Sequence, residues 1–233
     1  MAGPVEDNTP NAYDELRAGF TAVVSHELRT PLARAFALLE SGSDPAMVLQ
    51  QVRVEIEQMS ELVDDVLFLA ELESGRVVVA FGATKAAPEL ELVAVEYEER
   101  AARANVTIEV GGDPAAEVPL RPRMLHVVAE NLIENSLRYA GPGSTLRLGV
   151  EQRPESATLI AADDGPGVLE DDLPRLFERF YRGDRARASR GTGLGLAIVK
   201  HIVTSAGGTV EAAGGEPRGL EIRCHFPSRR GHA

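Results

Sequence analysis

Residues 25–32 read SHELRTPL and lie inside a long stretch whose apolar residues recur at steps of three and four. This spacing predicts an amphipathic helix that begins near Asn11, with an apolar face formed by Leu16, Phe20, Val23, Val24, Leu28, Leu32, Ala35, Leu38 and Leu39. Pro31 cannot donate a hydrogen bond to the carbonyl of Glu27, and its ring crowds that carbonyl. We therefore expect a kink or a weakened turn directly after His26.

A second helix follows the turn SGSDP at residues 41–45, in which Gly42 suits a helix C cap and Asp44 an N cap before Pro45. Its apolar residues recur at a spacing of about 3.5, as in coiled coils. The two helices form an αα-hairpin, and pairing two hairpins into a four-helix bundle would cover both apolar stripes. The alternative is that the hairpin packs only on the rest of its own chain.

Past Gly75 the pattern changes to a mixture of strands and helices. Strands are expected at 76–81, 106–110, 145–150, 157–162, 209–213 and 220–226, and helices at 86–104, 122–140, around 173–180 and at 193–206. The absence of strict alternation favours a helix layer on a mixed sheet over a doubly wound fold. The expected organisation is a flexible leader (1–11), a helical hairpin (12–75), an α/β sandwich (76–228) and a tail (229–233).

Composition and charge exclude several classes of protein. The chain has 233 residues, a net charge of −12, one Cys and 44% hydrophobic residues, which excludes global disorder and a disulfide scaffold. No apolar run approaches the ~18 residues of a membrane span. The acidic balance argues against nucleic-acid binding. Residues 1–75 carry a net charge of −10 and residues 76–233 one of −2, which indicates two different units.

His26 is a candidate nucleophile. An imidazole with a pKa near ~6.5 is largely neutral at pH 7, and the adjacent Glu27 can orient the ring and take its proton. Thr30 lies one turn further along the same helix face. From chemistry alone, the alternative is an ordinary surface histidine.

A second segment, ENLIENSLRY at residues 130–139, places Asn131, Asn135, Arg138 and Tyr139 on one helix face. A neutral amide oxygen such as that of Asn135 suits Mg²⁺, Arg138 can bind a phosphate in a bidentate manner, and Tyr139 offers a stacking surface. The alternative is that the asparagines are simple surface amides.

Two glycine-rich segments complete the candidate site. In DDGPG (163–167), Asp163 at a strand end can accept a hydrogen bond from an exocyclic amine, and Gly165 and Gly167 let backbone approach the base, although such a sequence is also ordinary in turns. In RGTGLGL (190–196), the glycines expose N–H groups to an anion at the start of a helix. This second segment is neither a P-loop nor a Rossmann fingerprint.

Taken together, these segments resemble known motifs. SHELRTPL is similar to the H box of the sensor histidine kinases of two-component systems. The other segments resemble, in order, the N, G1 and G2 boxes of the Bergerat-fold ATPases shared by histidine kinases, gyrase and MutL-type proteins. LFERFYR at 176–182 resembles the F box that distinguishes the histidine kinases, and Ser136 stands where Ala is commoner.

The resemblance implies a homodimeric histidine kinase core with a four-helix bundle and an α/β sandwich. It implies that His26 is phosphorylated, that Glu27 acts as the base, and that Thr30 positions water for phosphatase activity. It implies ATP and Mg²⁺ as cofactors, with Asn135 as the metal ligand. The implied nucleotide-binding residues are Asn131, Asn135, Arg138, Tyr139, Asp163, Gly165, Gly167, Phe180, Arg182, Gly191, Thr192, Gly193, Leu194, Gly195 and Leu196.

The implied partner is the receiver domain of a response regulator, and no nucleic acid is expected. The expected location is cytoplasmic, as a cytosolic protein or as the soluble portion of a membrane sensor. Residues 179–190 carry five Arg and one Asp, which fits a basic cover over phosphates or a solvated charge run. Two alternatives remain: a phosphatase or phosphotransfer scaffold that binds nucleotide only for regulation, and a Bergerat ATPase that clamps DNA or client proteins.

Overall fold

The computed structural model describes residues 12–41, 44–80, 82–183, 191–215 and 218–227, with only the backbone for 12–20. The chain forms two compact units, Met1–Asp64 and Asp65–Ala233. The predicted leader, the C cap at Gly42 and the tail lie outside the described residues. Along the described chain, no helix is both long enough and apolar enough to span a membrane.

The first two helices are α1 (Ala12–Glu40), which remains helical across Pro31, and α2 (Pro45–Glu73). The predicted N cap of α2 is present, since Oδ1 of Asp44 accepts a hydrogen bond from the N–H of Ala46 at 3.4 Å. Ala35, Val48 and Leu62 are buried within the first unit. Many apolar side chains of the two helices are exposed, among them Leu32, Phe36, Leu39, Met47, Leu49, Ile56 and Val63. They leave the kind of apolar surface that a four-helix bundle would cover.

The second unit contains the remaining elements: β1 (Thr84–Lys85), α3 (Ala86–Ala104), β2 (Thr107–Gly112), β3 (Glu117–Val118), α4 (Pro122–Tyr139), β4 (Thr145–Arg153), β5 (Ser156–Asp163), a 3-10 helix (Glu170–Arg175), α5 (Gly195–Ser205), β6 (Thr209–Gly214) and β7 (Leu220–Pro227). The main sheet has the order β2-β4-β5-β7-β6, and β1 pairs with β3 in a second, two-stranded sheet. Only β2 and β4 are parallel among the described pairs of the main sheet. The predicted helix layer on a mixed sheet is confirmed.

The core of this unit lies between the main sheet and the three helices α3, α4 and α5. Burial alternates along β7, where Leu220, Ile222, Cys224 and Phe226 are buried. The helices contribute residues at helical spacing, among them Leu90, Val93, Leu125, Val128, Leu132, Ile198 and Ile202. The other sheet face carries charged pairs such as Arg147 with Glu109, so one face packs and the other is solvated.

Two local predictions were wrong. Residues 76–80 form no strand, because no strand in the described part of the chain pairs with them. Their described contact with the rest of the unit is a backbone hydrogen bond from the N–H of Arg121 to the carbonyl of Val79 at 3.1 Å. The short helix expected around 173–180 is a 3-10 helix at Glu170–Arg175 that contains Pro174. Five residues after its end, Phe180 adopts a positive φ of 61°, which is uncommon for a residue other than glycine.

Candidate functional site

Asp163 ends β5, and its carboxylate is held by backbone. Oδ1 accepts hydrogen bonds from the N–H of Gly165 at 2.9 Å and of Leu220 at 3.3 Å. Burial raises the pKa of Asp163 above its ordinary value, and these two hydrogen bonds oppose the rise. Because both backbone donors go to Oδ1, Oδ2 is the oxygen that would accept an exocyclic amine.

The glycines after Asp163 allow close backbone approaches. A Cβ on Gly165 would lie 2.6 Å from Cα of Ala140, at the end of α4. Gly167 has a φ of +73°, and a Cβ there would lie 2.8 Å from the carbonyl oxygen of Gly219. Gly219 itself has a φ of +111° and lies against the carbonyl of Asp163, where a Cβ would overlap that oxygen. Sequence reasoning missed Gly219, because it stands in no recognised motif.

The predicted polar face of α4 is present. Pro122 occupies the first turn of this helix, and the opposite face is buried in the core through Leu125, Val128 and Leu132. The four predicted residues Asn131, Asn135, Arg138 and Tyr139 are all half-buried. Nδ2 of Asn131 donates to the carbonyl of Val127 at 2.8 Å, which turns Oδ1 towards α5, where a Cβ on Gly195 would lie 2.6 Å from it.

The loop before α5 turns at two glycines. Gly191 and Gly193 have positive φ values of 148° and 70°. Oγ1 of Thr192 accepts from the N–H of Leu194 at 3.2 Å and donates to Oδ2 of Asp65 at 2.8 Å. Leu194 is buried directly before Gly195, and the half-buried Leu196 follows in the first turn of α5. The first N–H groups of a helix have no partner within the helix, so the start of α5 is suited to an anion such as phosphate.

The backbone of Phe180 lies against Gly193, in the loop before α5. The N–H of Phe180 donates to the carbonyl of Gly193 at 2.9 Å, and a Cβ on Gly193 would lie 2.9 Å from Cα of Phe180. Arg182 is half-buried two residues further on. The other arginines predicted to cover the phosphates, Arg185, Arg187 and Arg190, lie outside the described residues.

Sequence reasoning did not identify a cluster of polar side chains between α3 and α4. The hydroxyl of Tyr97 is within hydrogen-bond distance of Oε1 of Glu130 at 2.7 Å and of Oε1 of Glu134 at 3.1 Å. Nη1 of Arg100 donates to Oε1 of Glu134 at 2.9 Å. The sequence does contain a signal for this cluster. Tyr97 lies at helical spacing from Leu90 and Val93, which predicts its burial, and a buried tyrosine needs a hydrogen-bond partner for its hydroxyl.

His26 lies in the first compact unit with its side chain 73% exposed. Nδ1 of its ring lies 3.4 Å from Oε1 of Glu27, and the hydroxyl of Thr30 donates to the carbonyl of His26 at 3.3 Å. A surface groove of about 460 Å³ runs along this face and is lined by His26, Arg29, Thr30, Ala33, Arg34 and Ala37.

The second unit thus brings three predicted segments together at the C-terminal half of α4. Arg138 lies against Gly191, Asn131 against Gly195, and Ala140 against Gly165. His26, Glu27 and Thr30 form their own cluster in the first unit. Across the described residues, no three His, Cys, Asp or Glu side chains are grouped so that they could hold a metal ion.

Two family profiles match the chain. The "His Kinase A (phospho-acceptor) domain" matches residues 16–75, and the "Histidine kinase-, DNA gyrase B-, and HSP90-like ATPase" matches residues 121–230. Together they include every residue of the predicted site.

Relatives agree with both profiles. The signal transduction histidine-protein kinase BaeS of Escherichia coli strain K12 is 35% identical over 99% of this chain and 50% of its own length. The chain therefore spans about half the length of this curated relative. The structure of the histidine kinase AdeS of Acinetobacter baumannii is similar, with a TM-score of 0.72, 24% identity and coverage of 88% of this chain and 98% of that one. The histidine kinase ThkA in complex with the response regulator protein TrrA matches with a TM-score of 0.74, 20% identity and coverage of 95% and 68%.

Proposed function

The chain belongs to the sensor histidine kinases as their catalytic core, and on this premise we propose that it transfers the γ-phosphoryl group of ATP to His26 and from there to an aspartate of a response regulator. An ATP-binding domain follows from the ATPase profile. The site residues, Mg²⁺ and the partner are part of the proposal. We favour a kinase over a scaffold that binds nucleotide only for regulation. The reason is that His26 with its neighbour Glu27 and the two glycine-rich segments are all present.

The geometry of His26 and Glu27 carries the proposal. With Nδ1 directed at the carboxylate of Glu27 at 3.4 Å, the proton of a neutral ring belongs on Nδ1, which leaves the lone pair on Nε2. Nε2 then attacks the γ-phosphorus, the bond to the β–γ bridging oxygen breaks, and ADP leaves. Glu27 accepts the Nδ1 proton as the ring gains its phosphoryl group. The side chain of His26 is 73% exposed, so its ring is accessible to the phosphates of a nucleotide.

On the nucleotide side, Asp163 accepts the amine of adenine through Oδ2, and Gly165 and Gly167 let the following backbone pack closely against Ala140 and Gly219. Arg138, the N–H groups from Gly191 to Leu196, Thr192 and Arg182 bind the phosphates. Asn131, Tyr139 and Phe180 complete the proposed set of nucleotide-binding residues.

Mg²⁺ fits this donor set. The amide oxygen of Asn135 is a hard ligand on a half-buried helix face, and this ion usually keeps several waters and takes few protein ligands. The lack of an acidic cluster among the described residues is therefore compatible with a metal held mainly by phosphates. Bound there, Mg²⁺ would neutralise phosphate charge.

For the partners, we propose a homodimer through the exposed apolar stripe of α1 and α2, and a receiver domain that docks on the groove beside His26. Arg29 and Arg34 give that groove two positive charges, which suits the acidic site of a receiver. Thr30 would position water for removing phosphate from the regulator. The proposed location is the cytoplasm, either free or as the cytoplasmic part of a membrane sensor.

The test is incubation of the protein with γ-³²P-ATP and Mg²⁺. Label that stays on the chain in alkali and is lost in acid is the expected result, because the P–N bond of a phosphohistidine is acid-labile. ATP hydrolysis without labelled chain would contradict the proposal and favour a Bergerat ATPase of another class.

A further inference from the structure

Glu134 lies between α3 and Arg138. Its Oε1 accepts a hydrogen bond from Nη1 of Arg100 at 2.9 Å and lies 3.1 Å from the hydroxyl oxygen of Tyr97. Its Oε2 lies 3.9 Å from Nη2 of Arg138, one helical turn along α4. Arg100 on α3 therefore fixes the orientation of the carboxylate, and the second oxygen is directed at the guanidinium of Arg138.

Tyr97 is a rigid part of this arrangement. It is only 5% exposed, and its hydroxyl also lies 2.7 Å from Oε1 of Glu130. Burial, followed by the two neighbouring carboxylates, raises the pKa of Tyr97, so the phenol keeps its proton and remains a donor. The guanidinium of Arg100 lies over the Tyr97 ring at 4.8 Å from its centre, and this contact orders Arg100.

Arg138 is confined on its other side by Gly191. A Cβ on Gly191 would overlap Nη1 of Arg138, so the guanidinium lies directly against the backbone of the phosphate loop. We propose that Glu134, held by Arg100 from α3, is a positioning residue that aims Arg138 at the nucleotide phosphates. This inference rests on the proposed function, in which Arg138 is a phosphate ligand.

The negative charge of Glu134 is not compensated mainly by Arg138. Arg100 is closer to the carboxylate than Arg138 is, 2.9 Å against 3.9 Å, so the negative charge is compensated mainly from α3. Arg138 therefore keeps its positive charge for the phosphates while its conformational freedom is restricted. Preorganisation of this kind lowers the entropy cost of binding.

The test variant is Glu134→Gln, which keeps the size of the side chain and an oxygen for Tyr97 and Arg100. Its amide N–H₂ would face the guanidinium of Arg138, so donor meets donor and Arg138 loses its anchor. We expect the Kd of ATP·Mg²⁺, measured by calorimetry, to rise about threefold to tenfold, because the loss is that of one half-buried positioning contact. The Kd of adenosine should stay unchanged, since the adenine site is untouched.

Glu109→Gln is the matched control, because Glu109 also pairs with an arginine, Arg147 at 3.2 Å, on the solvated face of the sheet. It should leave both Kd values unchanged. A Glu134→Gln variant that binds ATP as tightly as the wild type, or that loses ATP and adenosine affinity equally, would overturn the inference. Equal losses would mean a general structural role.

A double-mutant cycle distinguishes a positioning role of Glu134 from a general structural role. In an Arg138→Gln background, Glu134→Gln should have no further effect on the Kd of ATP, because its target is gone. A full additional loss in that background would overturn the inference. Failure of the wild type to bind ATP at all would instead contradict the proposed function, so the two failures are distinguishable.

Discussion

Gly191 lies so close to Arg138 that any side-chain carbon at position 191 would overlap the guanidinium. The glycine also has a φ of +148°, which a side chain rarely adopts. Position 191 therefore combines two requirements for glycine, one from the backbone and one from the neighbouring arginine. The glycines of a motif can thus be separated into those that set a turn and those that make room for a functional side chain.

Replacing this glycine should weaken phosphate binding. We expect Gly191→Ala to displace the guanidinium of Arg138 and to raise the Kd of ATP about tenfold, the size expected for the loss of one charge-assisted contact. The control is Gly143→Ala, because Gly143 has a φ of +85° and a Cβ there would meet nothing within 4 Å. Both variants should lose stability through backbone strain, and only Gly191→Ala should lose ATP affinity. Equal ATP affinities in calorimetry would contradict this role.

Asp163→Asn should change base selectivity. With Oδ1 still accepting from Gly165 and Leu220, the side chain would present N–H₂ where the carboxylate now presents Oδ2. A donor facing the exocyclic amine of adenine should weaken ATP binding by at least about tenfold, whereas GTP, with an oxygen at that position, should lose less or gain. Competition between the two nucleotides measures this ratio. An unchanged preference for ATP would exclude Asp163 from base recognition.

The raised pKa of Asp163 predicts that adenosine affinity depends on pH. The folded protein raises the pKa of Asp163 above 3.8, so on acidification its carboxyl gains a proton at a higher pH than an ordinary aspartate does. Protonated Oδ2 becomes a donor, and adenosine affinity should be lost as the pH falls through that raised pKa. Since burial opposes ionisation, Asp163→Asn should not lower the stability of the nucleotide-free protein above that pKa. It should also flatten the pH profile of adenosine binding.

Ser136→Ala should stabilise the protein. Ser136 is 1% exposed on the core face of α4, and its hydroxyl has no hydrogen-bond partner within the described part of the chain. Removing a buried unsatisfied hydroxyl and gaining the better helix former should raise the free energy of unfolding by about 1 kcal/mol. Urea unfolding measures the change. A loss of stability would mean that the hydroxyl has a partner of its own, such as a buried water.

Cys224 should report on opening of the sheet. It is the single cysteine of the chain, it is fully buried in β7, and burial raises the pKa of its thiol to about 12. The native protein should therefore resist iodoacetamide at pH 8, and the thiol should react only after unfolding. ATP should slow the reaction further, because it binds the folded state. Rapid alkylation of the native protein would contradict the burial of this strand.

The elements with local signals could be predicted from the sequence. α3 occupies the predicted residues because Asn105, with a φ of 54°, ends it in a left-handed turn, and α4 begins at the predicted Pro122. The residues of the nucleotide motifs could be named for the same reason, since each motif is contiguous.

What depends on distant partners could not be predicted. Residues 76–80 have the composition of a strand, but among the described residues no strand lies beside them to pair with. Gly219 matters only because folding brings it against Asp163, and Tyr97 matters only because α3 packs on the face of α4 that carries Glu134. None of these relationships is visible in a contiguous motif.

The central claim is that His26 accepts the phosphoryl group, and labelling with γ-³²P-ATP in a His26→Gln variant tests it most directly. We expect acid-labile label on the wild type and none on His26→Gln, while both proteins bind ATP with the same Kd because the variant leaves the ATP-binding residues intact. His225→Gln is the control, since His225 is engaged with Thr158 and Glu211 on the sheet, and it should be labelled like the wild type. Equal labelling of His26→Gln and wild type would contradict the claim.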